Sequence, residues 1–436
     1  MPQQILDNLN IDALNPMQLA CIEASKTKGD IIILSPTGSG KTLAFLIPIL
    51  ESLTEKNTEV KALVVVPSRE LALQIEQVWK QMNTGYKVSC CYGGHAMRVE
   101  KNNLSQAPAL LIGTPGRIAH HIRNNNFNPS FVNTLVLDEF DKSLELGFQD
   151  EMGFIISNLN HLQKRVLTSA TDLKKIPGFT GIRNPKKLDF LQKLSPTKNT
   201  LKLKSLRTEG SDKLHLLFEL ICHLQGKPCL IFCNHRDAVD RISALLKYKG
   251  VAHGVFHGGM NQEERERALI KFRNGSFAVL ISTDLASRGL DIPEIEAVVH
   301  YQLPVVPDVF THRNGRTARM NAEGTAWLLF SGEDTMPAYI DEVPEHVILS
   351  QKATLPPKAS WQTLYFSVGK KDKVNKMDIV GMLLQKGGLA KEELGLVEVL
   401  DFASFAAIHS DKIVSLLAAV EAEKIKGKKV KMEIAR

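Results

Sequence analysis

Between residues 30 and 170, short β-branched runs alternate with stretches of helical composition, a pattern that specifies a parallel sheet with crossover helices. Residues 31–34, 62–66, 88–92, 110–112, 134–137 and 165–168 are short, largely apolar runs and read as buried strands. A second set follows a polar, lysine-rich stretch, at residues 229–232, 252–256, 278–281, 297–301 and 326–330. The chain therefore reads as two α/β domains separated near residues 190 to 208. Residues 350–360 hold Pro356 and Pro357 with little apolar periodicity, which reads as an extended linker. Beyond it the expected order is strand 364–368, helix 376–385, strand 397–400, strand 405–409, helix 411–424 and strand 429–434. That is the βαββαβ arrangement. On the second of these helices Ile413, Leu416, Leu417 and Val420 recur at i, i+3, i+4 and i+7, a core-facing stripe. The expected boundaries are 1–195, 205–348, a linker at 349–360, and 361–436.

Composition agrees with this division. A chain of 436 residues, 44% hydrophobic and 23% charged, has room for about three domains of roughly 150 residues, which excludes disordered, collagen-like and mini-protein classes. Its longest apolar runs are strand-sized, far below the roughly 18 residues that cross a bilayer. The first residues carry neither a basic region nor an apolar one, so the expected location is cytoplasmic. Six cysteines, Cys21, Cys90, Cys91, Cys222, Cys229 and Cys233, form no C-x-x-C pair, which argues against structural zinc and a disulfide framework and for buried thiols. The net charge of +7 fits a polyanionic partner, but it also fits many proteins that have none.

The chemistry is concentrated after the first strand. Ser35-Pro36-Thr37-Gly38-Ser39-Gly40-Lys41-Thr42 leads into an apolar helix near Leu43. A glycine-rich turn between strand and helix lets backbone N–H groups close around phosphate oxygens, and the helix N-terminus adds its dipole. In this P-loop Lys41 would reach the β- and γ-phosphates and Thr42 would offer a hydroxyl to Mg²⁺; Ser35 stands where the general pattern has its first glycine. At the end of strand 134–137 come Asp138 and Glu139. Asp138 would hold Mg²⁺ through water, and Glu139 would orient the attacking water and take its proton.

These residues resemble the DEAD-box RNA helicases, a superfamily 2 group with two RecA-like domains, and the resemblance runs through almost the whole chain. Asp138-Glu139-Phe140-Asp141 is similar to their DEAD motif with Phe140 in place of alanine. Ser169-Ala170-Thr171 is similar to motif III, which implies coupling of nucleotide state to RNA separation through Asp141, Ser169, Thr171 and, in the second domain, His312. Pro67-Ser68-Arg69, Gly93-Gly94 and Thr114-Pro115-Gly116-Arg117 resemble motifs Ia, GG and Ib. That assigns Pro67, Arg69, Gly94, Thr114, Gly116 and Arg117 to the RNA backbone, a role suited to strand-end loops with a hydroxyl, a glycine and an arginine. In the second domain the resemblance adds Arg265 of Gln262-Glu263-Glu264-Arg265 and Thr283 as RNA contacts. It places Asp291 at the ribose, and Arg316 and Arg319 on the γ-phosphate as catalytic arginines beside Lys41 and Glu139. Positioned cations are what a loose phosphoryl-transfer transition state requires. Gln18 resembles the adenine-reading glutamine, although residues 1–17 contain no aromatic side chain. Ala318 replaces the usual glycine of motif VI.

Residues 361 to 436 resemble the RNA-binding domain of the DbpA subgroup, an RRM-like unit. Against the RRM pattern this region keeps Phe405 but has Ala403 and Ile408 at the other two stacking positions. Lys426, Lys428 and Lys429 are the candidate phosphate contacts, placed on the last strand. The resemblance implies an α/β chain of two RecA-like domains plus the RRM-like unit. Its implied function is that of a monomeric, ATP- and Mg²⁺-dependent RNA helicase acting on large-subunit ribosomal RNA during ribosome assembly. A general RNA chaperone, a non-enzymatic ATP-gated RNA clamp and a DNA helicase are the alternatives.

Overall fold

The computed structural model describes residues 2–36, 38–54, 59–94, 97–172, 175–191, 201–284, 295–317, 324–332, 334–349, 354–421 and 423–435. Three of the residues singled out above, Thr37, Asp291 and Arg319, lie outside the described residues, as do Ala318 and part of the expected linker. By internal contacts the chain divides into two compact units.

The first unit is built on a seven-stranded sheet in the order Val88–Cys91, Leu110–Gly113, Ala62–Val65, Thr134–Leu137, Lys164–Ser169, Ile31–Leu34, Lys186–Asp189. Every ladder in it is parallel. Helices cover both faces, and the period of two along a strand shows it directly. Ile31 and Ile33 pack with Phe45, Ile75 and Trp79 on one face. Ile32 and Leu34 pack with Ile118, Met152 and Ile155 on the other. The edge strand Lys186–Asp189 was not legible in the sequence because it buries a single side chain, Leu188.

The second unit contains another seven-stranded sheet, ordered His253–Phe256, Val279–Ser282, Cys229–Phe232, Ala297–His300, Gly324–Phe330, Leu201–Arg207, Glu345–His346. Here the sequence reading is corrected. The stretch near 190 to 208, read as a separator, carries a strand of this sheet, Leu201–Arg207, which pairs in parallel with Gly324–Phe330 along its whole length. Its alternation of lysine with leucine looks polar on average, yet Leu206 is buried in the core while Lys202 and Arg207 are exposed.

The C-terminal domain has a four-stranded antiparallel sheet, Leu394–Val399, Ser404–His409, Trp361–Phe366, Met432–Ile434, with helices Lys376–Gln385 and Ile413–Val420. Ile413, Leu416 and Val420 are buried, as the stripe requires. Two expectations fail. The last strand is only Met432–Ile434, and Lys428–Lys429 instead forms a separate two-stranded hairpin with Lys424–Ile425. Gly427, with φ of +77°, follows Lys426, also left-handed, and together they make the tight turn that interrupts the expected strand. Ile408 lies in the domain's own helical core, not on the outer sheet face, because it is an odd number of residues from Phe405.

Within the second unit that outer sheet face is covered. Phe405, 3% exposed, packs with Ile270 of helix Gln262–Arg273 and with Ala435. Arg267 lies over the Tyr365 ring at 5.7 Å. Asn274 donates to Thr363 at 3.1 Å, the Ser276 and Thr363 hydroxyls meet at 2.7 Å, and Arg273 Nη2 reaches both carboxylate oxygens of Glu398 at 2.9 and 3.2 Å. Burying one large apolar side chain such as Phe405 stabilises this junction by about 2 kcal/mol, so the aromatic face is taken up by the neighbouring α/β domain. Arg273→Glu is expected to destabilise the second unit by ~1 kcal/mol in chemical denaturation. Adding Glu398→Arg should restore most of the loss, since the half-exposed pair acts through its charge.

Candidate functional site

The P-loop grows from a fully buried strand, Ile31–Leu34, into helix Lys41–Ser52. Ser35 N–H is tied to the Ser169 carbonyl at 3.0 Å, which fixes the loop to the end of the neighbouring strand. Gly38 and Gly40 both have positive φ. At Gly40 a side chain is also excluded by Gln18, whose amide nitrogen would lie 2.6 Å from a Cβ. Ser35, in the place of the usual glycine, donates its hydroxyl to Ser39 at 2.7 Å, and Ser39 donates to the Pro36 carbonyl at 2.7 Å. Lys41 is buried and donates from Nζ to the carbonyls of Ser35 and Pro36 at 2.6 and 2.7 Å. These neutral acceptors are weaker partners for an ammonium than a phosphate oxygen would be. Thr42 follows, half-buried, on the first helical turn.

Gln18 is brought to the same loop. With Asn15 it forms a capping box at the start of helix Pro16–Ser25, and its Nε2 donates to the Gly40 carbonyl at 3.1 Å, while Asn15 donates to the Ser39 carbonyl at 2.9 Å. The adenine candidate and the phosphate cradle are therefore mechanically joined.

Asp138 and Glu139 end the strand Thr134–Leu137 and share one hydroxyl. Thr168 Oγ1 donates to Asp138 Oδ1 and accepts the Glu139 N–H at 3.1 Å. Glu139 sits in the left-handed region (φ 46°, ψ 51°) at the cap of helix Phe140–Glu145. Burial raises the Asp138 carboxyl above the usual carboxylate range, against the Thr168 bond and the nearby Lys41 charge, which lower it. The Asp138 carboxylate and the Thr42 hydroxyl are oxygen donors of the kind a hard cation takes, so by their chemistry they suit Mg²⁺. Phe140 is fully buried, packs against Phe179 with ring centroids 6.3 Å apart, and belongs to the core below the sheet. Its ring is therefore absorbed by packing. Thr171 Oγ1 donates to Asp141 Oδ2 at 3.0 Å, and Ser169 Oγ donates to the Thr171 carbonyl at 2.6 Å. The three coupling candidates of this unit are thus one hydrogen-bonded group.

Pro67, Gly94 and Thr114 lie in the loops that follow neighbouring strands, and Arg69, Gly116 and Arg117 lie at the starts of the helices Arg69–Gln81 and Pro115–Arg123. Arg69 lies over the Tyr92 ring at 4.5 Å and beside Gly94, where its Nη1 would be 3.6 Å from a Cβ. The Thr114 N–H donates to the Cys91 carbonyl at 3.1 Å, and Gly116 opens onto free space. Cys91, Glu100 and His121 bring ligand atoms within 4.8 Å of one another. Their carboxylate is already engaged by His121 and Arg117, so the cluster holds itself together without an ion. All six cysteines are free, and all but half-buried Cys90 are buried.

In the second unit His312 and Arg316 are almost fully buried. Arg265 donates to Gln262 at 2.5 Å, and the Thr283 N–H donates to the Phe256 carbonyl at 3.4 Å. The organising residue there is Arg313, which the sequence reading passed over. Fully buried, it donates to Asp284 at 2.6 Å, Asn234 at 2.8 Å and the Gln302 carbonyl at 2.7 Å. Its partners come from three separate strand ends, so only a fold could bring them together. Lys426, Lys428 and Lys429 are all exposed on the hairpin turn. Lys426 pairs with Asp378 at 3.2 Å and Lys428 with Asp372 at 2.7 Å.

Two measurements follow from the buried charges. The folded-state pKa of Asp138 lies above its unfolded value, so stability falls as pH rises through that window. Asp138→Asn keeps the acceptor for Thr168 and is expected to raise the thermal midpoint at neutral pH by roughly 2–4 °C, the effect of ~1 kcal/mol in a domain of this size. His300, buried beside Arg313 and bonded to Asn314 at 2.9 Å, has its pKa pushed down to about 3. It stays neutral in the fold while the unfolded chain takes up the proton near pH 6.5. Stability should decline as pH falls below about 6.5, and His300→Gln should flatten that decline in pH-dependent denaturation.

The comparisons agree with this geometry. A DEAD/DEAH box helicase model matches residues 15–176, a helicase conserved C-terminal domain model matches 212–321, and a DbpA RNA binding domain model matches 363–434. The chain is 30% identical to ATP-dependent RNA helicase DbpA of Escherichia coli (strain K12), over 100% of this chain and 98% of that protein. It is 37% identical to ATP-dependent RNA helicase DRS1 of Saccharomyces cerevisiae over 80% of this chain, and spans 48% of that longer relative. Among solved structures, Mss116p bound to ssRNA and AMP-PNP matches with a TM-score of 0.70 at 28% identity, covering 80% of this chain and 77% of that one. S. cerevisiae Dbp5 bound to RNA and ADP BeF3 matches with a TM-score of 0.65 at 25% identity, covering 78% of this chain and 95% of that one. With its P-loop, its Asp138-Glu139 strand end and a third domain that matches along its length, the chain belongs to the DEAD-box helicase family and carries a DbpA RNA-binding domain.

Proposed function

We propose that this chain is an ATP-dependent RNA helicase that couples ATP hydrolysis to local separation of RNA duplexes, with large-subunit ribosomal RNA in ribosome assembly as its substrate. The observation that carries the reading is the continuous hydrogen-bonded path in the first unit. It runs from Gln18 through the P-loop to the Ser169 carbonyl, and from Ser169 through Thr171 to Asp141 beside the Asp138-Glu139 pair. Lys41 exchanges the Ser35 and Pro36 carbonyls for phosphate oxygens. Glu139, with its N–H anchored by Thr168, accepts a proton from the attacking water. Asp138 and Thr42 would hold Mg²⁺, which when bound would supply charge neutralisation on the phosphates. A change at the nucleotide is passed along the Ser169–Thr171–Asp141 bonds.

The ribosomal RNA reading rests on the DbpA RNA-binding domain. Its sheet face is occupied by helix Gln262–Arg273, so base stacking there is closed off and RNA is met by the basic turn and hairpin. Lys370, Lys371 and Lys373 are exposed on the turn, opposite Lys426, Lys428 and Lys429, and the two segments are joined by the Lys428–Asp372 pair.

Steady-state ATPase with no RNA, an unstructured RNA and a ribosomal hairpin at fixed salt tests both levels. Lys41→Ala and Glu139→Gln are expected to abolish RNA-stimulated turnover, and unchanged turnover in either would refute the site. Replacing Lys370, Lys371 and Lys429 with alanine should bring stimulation by the hairpin down to that by unstructured RNA. Each lost phosphate contact should lower the salt slope of hairpin binding by about 0.7 to 0.9. An unaltered hairpin preference would refute the ribosomal RNA reading while leaving the helicase reading in place.

A further inference from the structure

Three adjacent strands of the first sheet, Val88–Cys91, Leu110–Gly113 and Ala62–Val65, deliver their following loops side by side. One carboxylate binds two of them directly and meets the third through the Tyr92 ring. Glu100, from the short helix Met97–Leu104, is fully buried. Its Oε1 accepts the Tyr92 N–H at 3.0 Å, one residue before Gly93-Gly94. Its Oε2 meets His121 Nε2 at 2.8 Å and lies 3.5 Å from Arg117 Nη1. Asn126 donates to His121 Nδ1 at 2.9 Å, which leaves the ring proton on Nε2, facing the carboxylate. The Tyr92 ring, whose backbone Glu100 holds, is the surface on which Arg69 rests at 4.5 Å. Arg117 is further steadied by the Met97 sulfur at 3.2 Å.

A buried carboxylate is costly unless paired, and an apolar side chain of similar size would fill this space without that cost. The charge is therefore explained by what it holds. We propose that Glu100 is a positioning residue for RNA. It sets the guanidinium of Arg117, the turn at Gly93-Gly94 and, through Tyr92, the guanidinium of Arg69 at one spacing along the strand ends. This inference rests on the reading above that these loops contact the RNA backbone. Glu100 itself does not touch RNA. Without its charge Arg117 loses one of the partners that orient it, and backbone phosphates meet a less firmly placed cation.

The test compares wild type, Arg117→Ala, Glu100→Gln and the double variant by RNA-dependent ATPase and RNA binding across a salt series, with folding checked by thermal unfolding. Glu100→Gln keeps the shape and removes the charge. It is expected to raise the RNA concentration for half-maximal ATPase about tenfold, as loss of a charged hydrogen bond does. It should also lower the salt slope by about 0.7, one single-strand phosphate contact, and leave ATP affinity unchanged. The double variant should be no worse than Arg117→Ala, because both remove the same contact. Glu100→Asp, which draws the charge back by one methylene, provides a second variant with the same expected direction. A wild-type salt slope in folded Glu100→Gln or Glu100→Asp, alongside a reduced slope in Arg117→Ala, overturns the positioning role alone. A wild-type slope in Arg117→Ala overturns the assignment of that loop to RNA.

Discussion

Parallel strands buried on both faces have no room for chemistry along their length, and this constraint arranges everything else in the two sheets. Polar groups are pushed to the carboxyl ends, where the chain leaves the sheet and backbone N–H groups become free for a ligand. Asp138 and Glu139 stand just beyond the last residue of a strand, Ser169 is the last residue of another, and Lys41 and Arg69 open the helices that follow two more. Because these strands are neighbours, residues far apart in sequence become hydrogen-bonded partners. Thr168 joins Asp138 to Glu139 across adjacent strands, and Ser35 is tied to Ser169 across the next pair.

Such strand ends are dry enough to make charges expensive. Asp138 is held against its own desolvation, Glu139 against a left-handed backbone, and Glu100 against full burial. Each departure from the most stable arrangement coincides with a group that has work to do on a charged ligand. Arg313 shows the same principle without strain, since its fixed positive charge is matched by Asp284 and two neutral oxygens. Burial, with the Arg313 charge adding to it, keeps nearby His300 neutral.

The C-terminal domain solves a different problem. A small sheet with one apolar face must cover it, and here the cover is helix Gln262–Arg273 of the neighbouring α/β domain. That helix carries Arg265 at its start and Ile270 and Arg273 at the junction. The sheet face is thereby closed while the lysine-bearing turn and hairpin stay exposed, and the domain is anchored to an element that also bears a candidate RNA contact.

The grouping of Thr171 with Asp141 was implied by the family resemblance, and most of the strands and helices, the P-loop and the acidic strand end were legible from the residues themselves. Each depends on local pattern or on a short run of residues with one chemical use. Two kinds of feature were not. Leu201–Arg207 and Lys186–Asp189 hide because their alternating or mostly polar composition acquires an inside and an outside only when a partner strand is present. The hairpin turn at Lys426-Gly427, the burial of Phe405 and the meeting of Glu100 with Tyr92, Arg117 and His121 depend on which surfaces meet. Sequence spacing sets what a residue is able to do, but side-chain parity and long-range pairing decide which neighbours it does it with. That decision belongs to tertiary structure, because the energy of a buried charge or an apolar face is settled by what lies across from it.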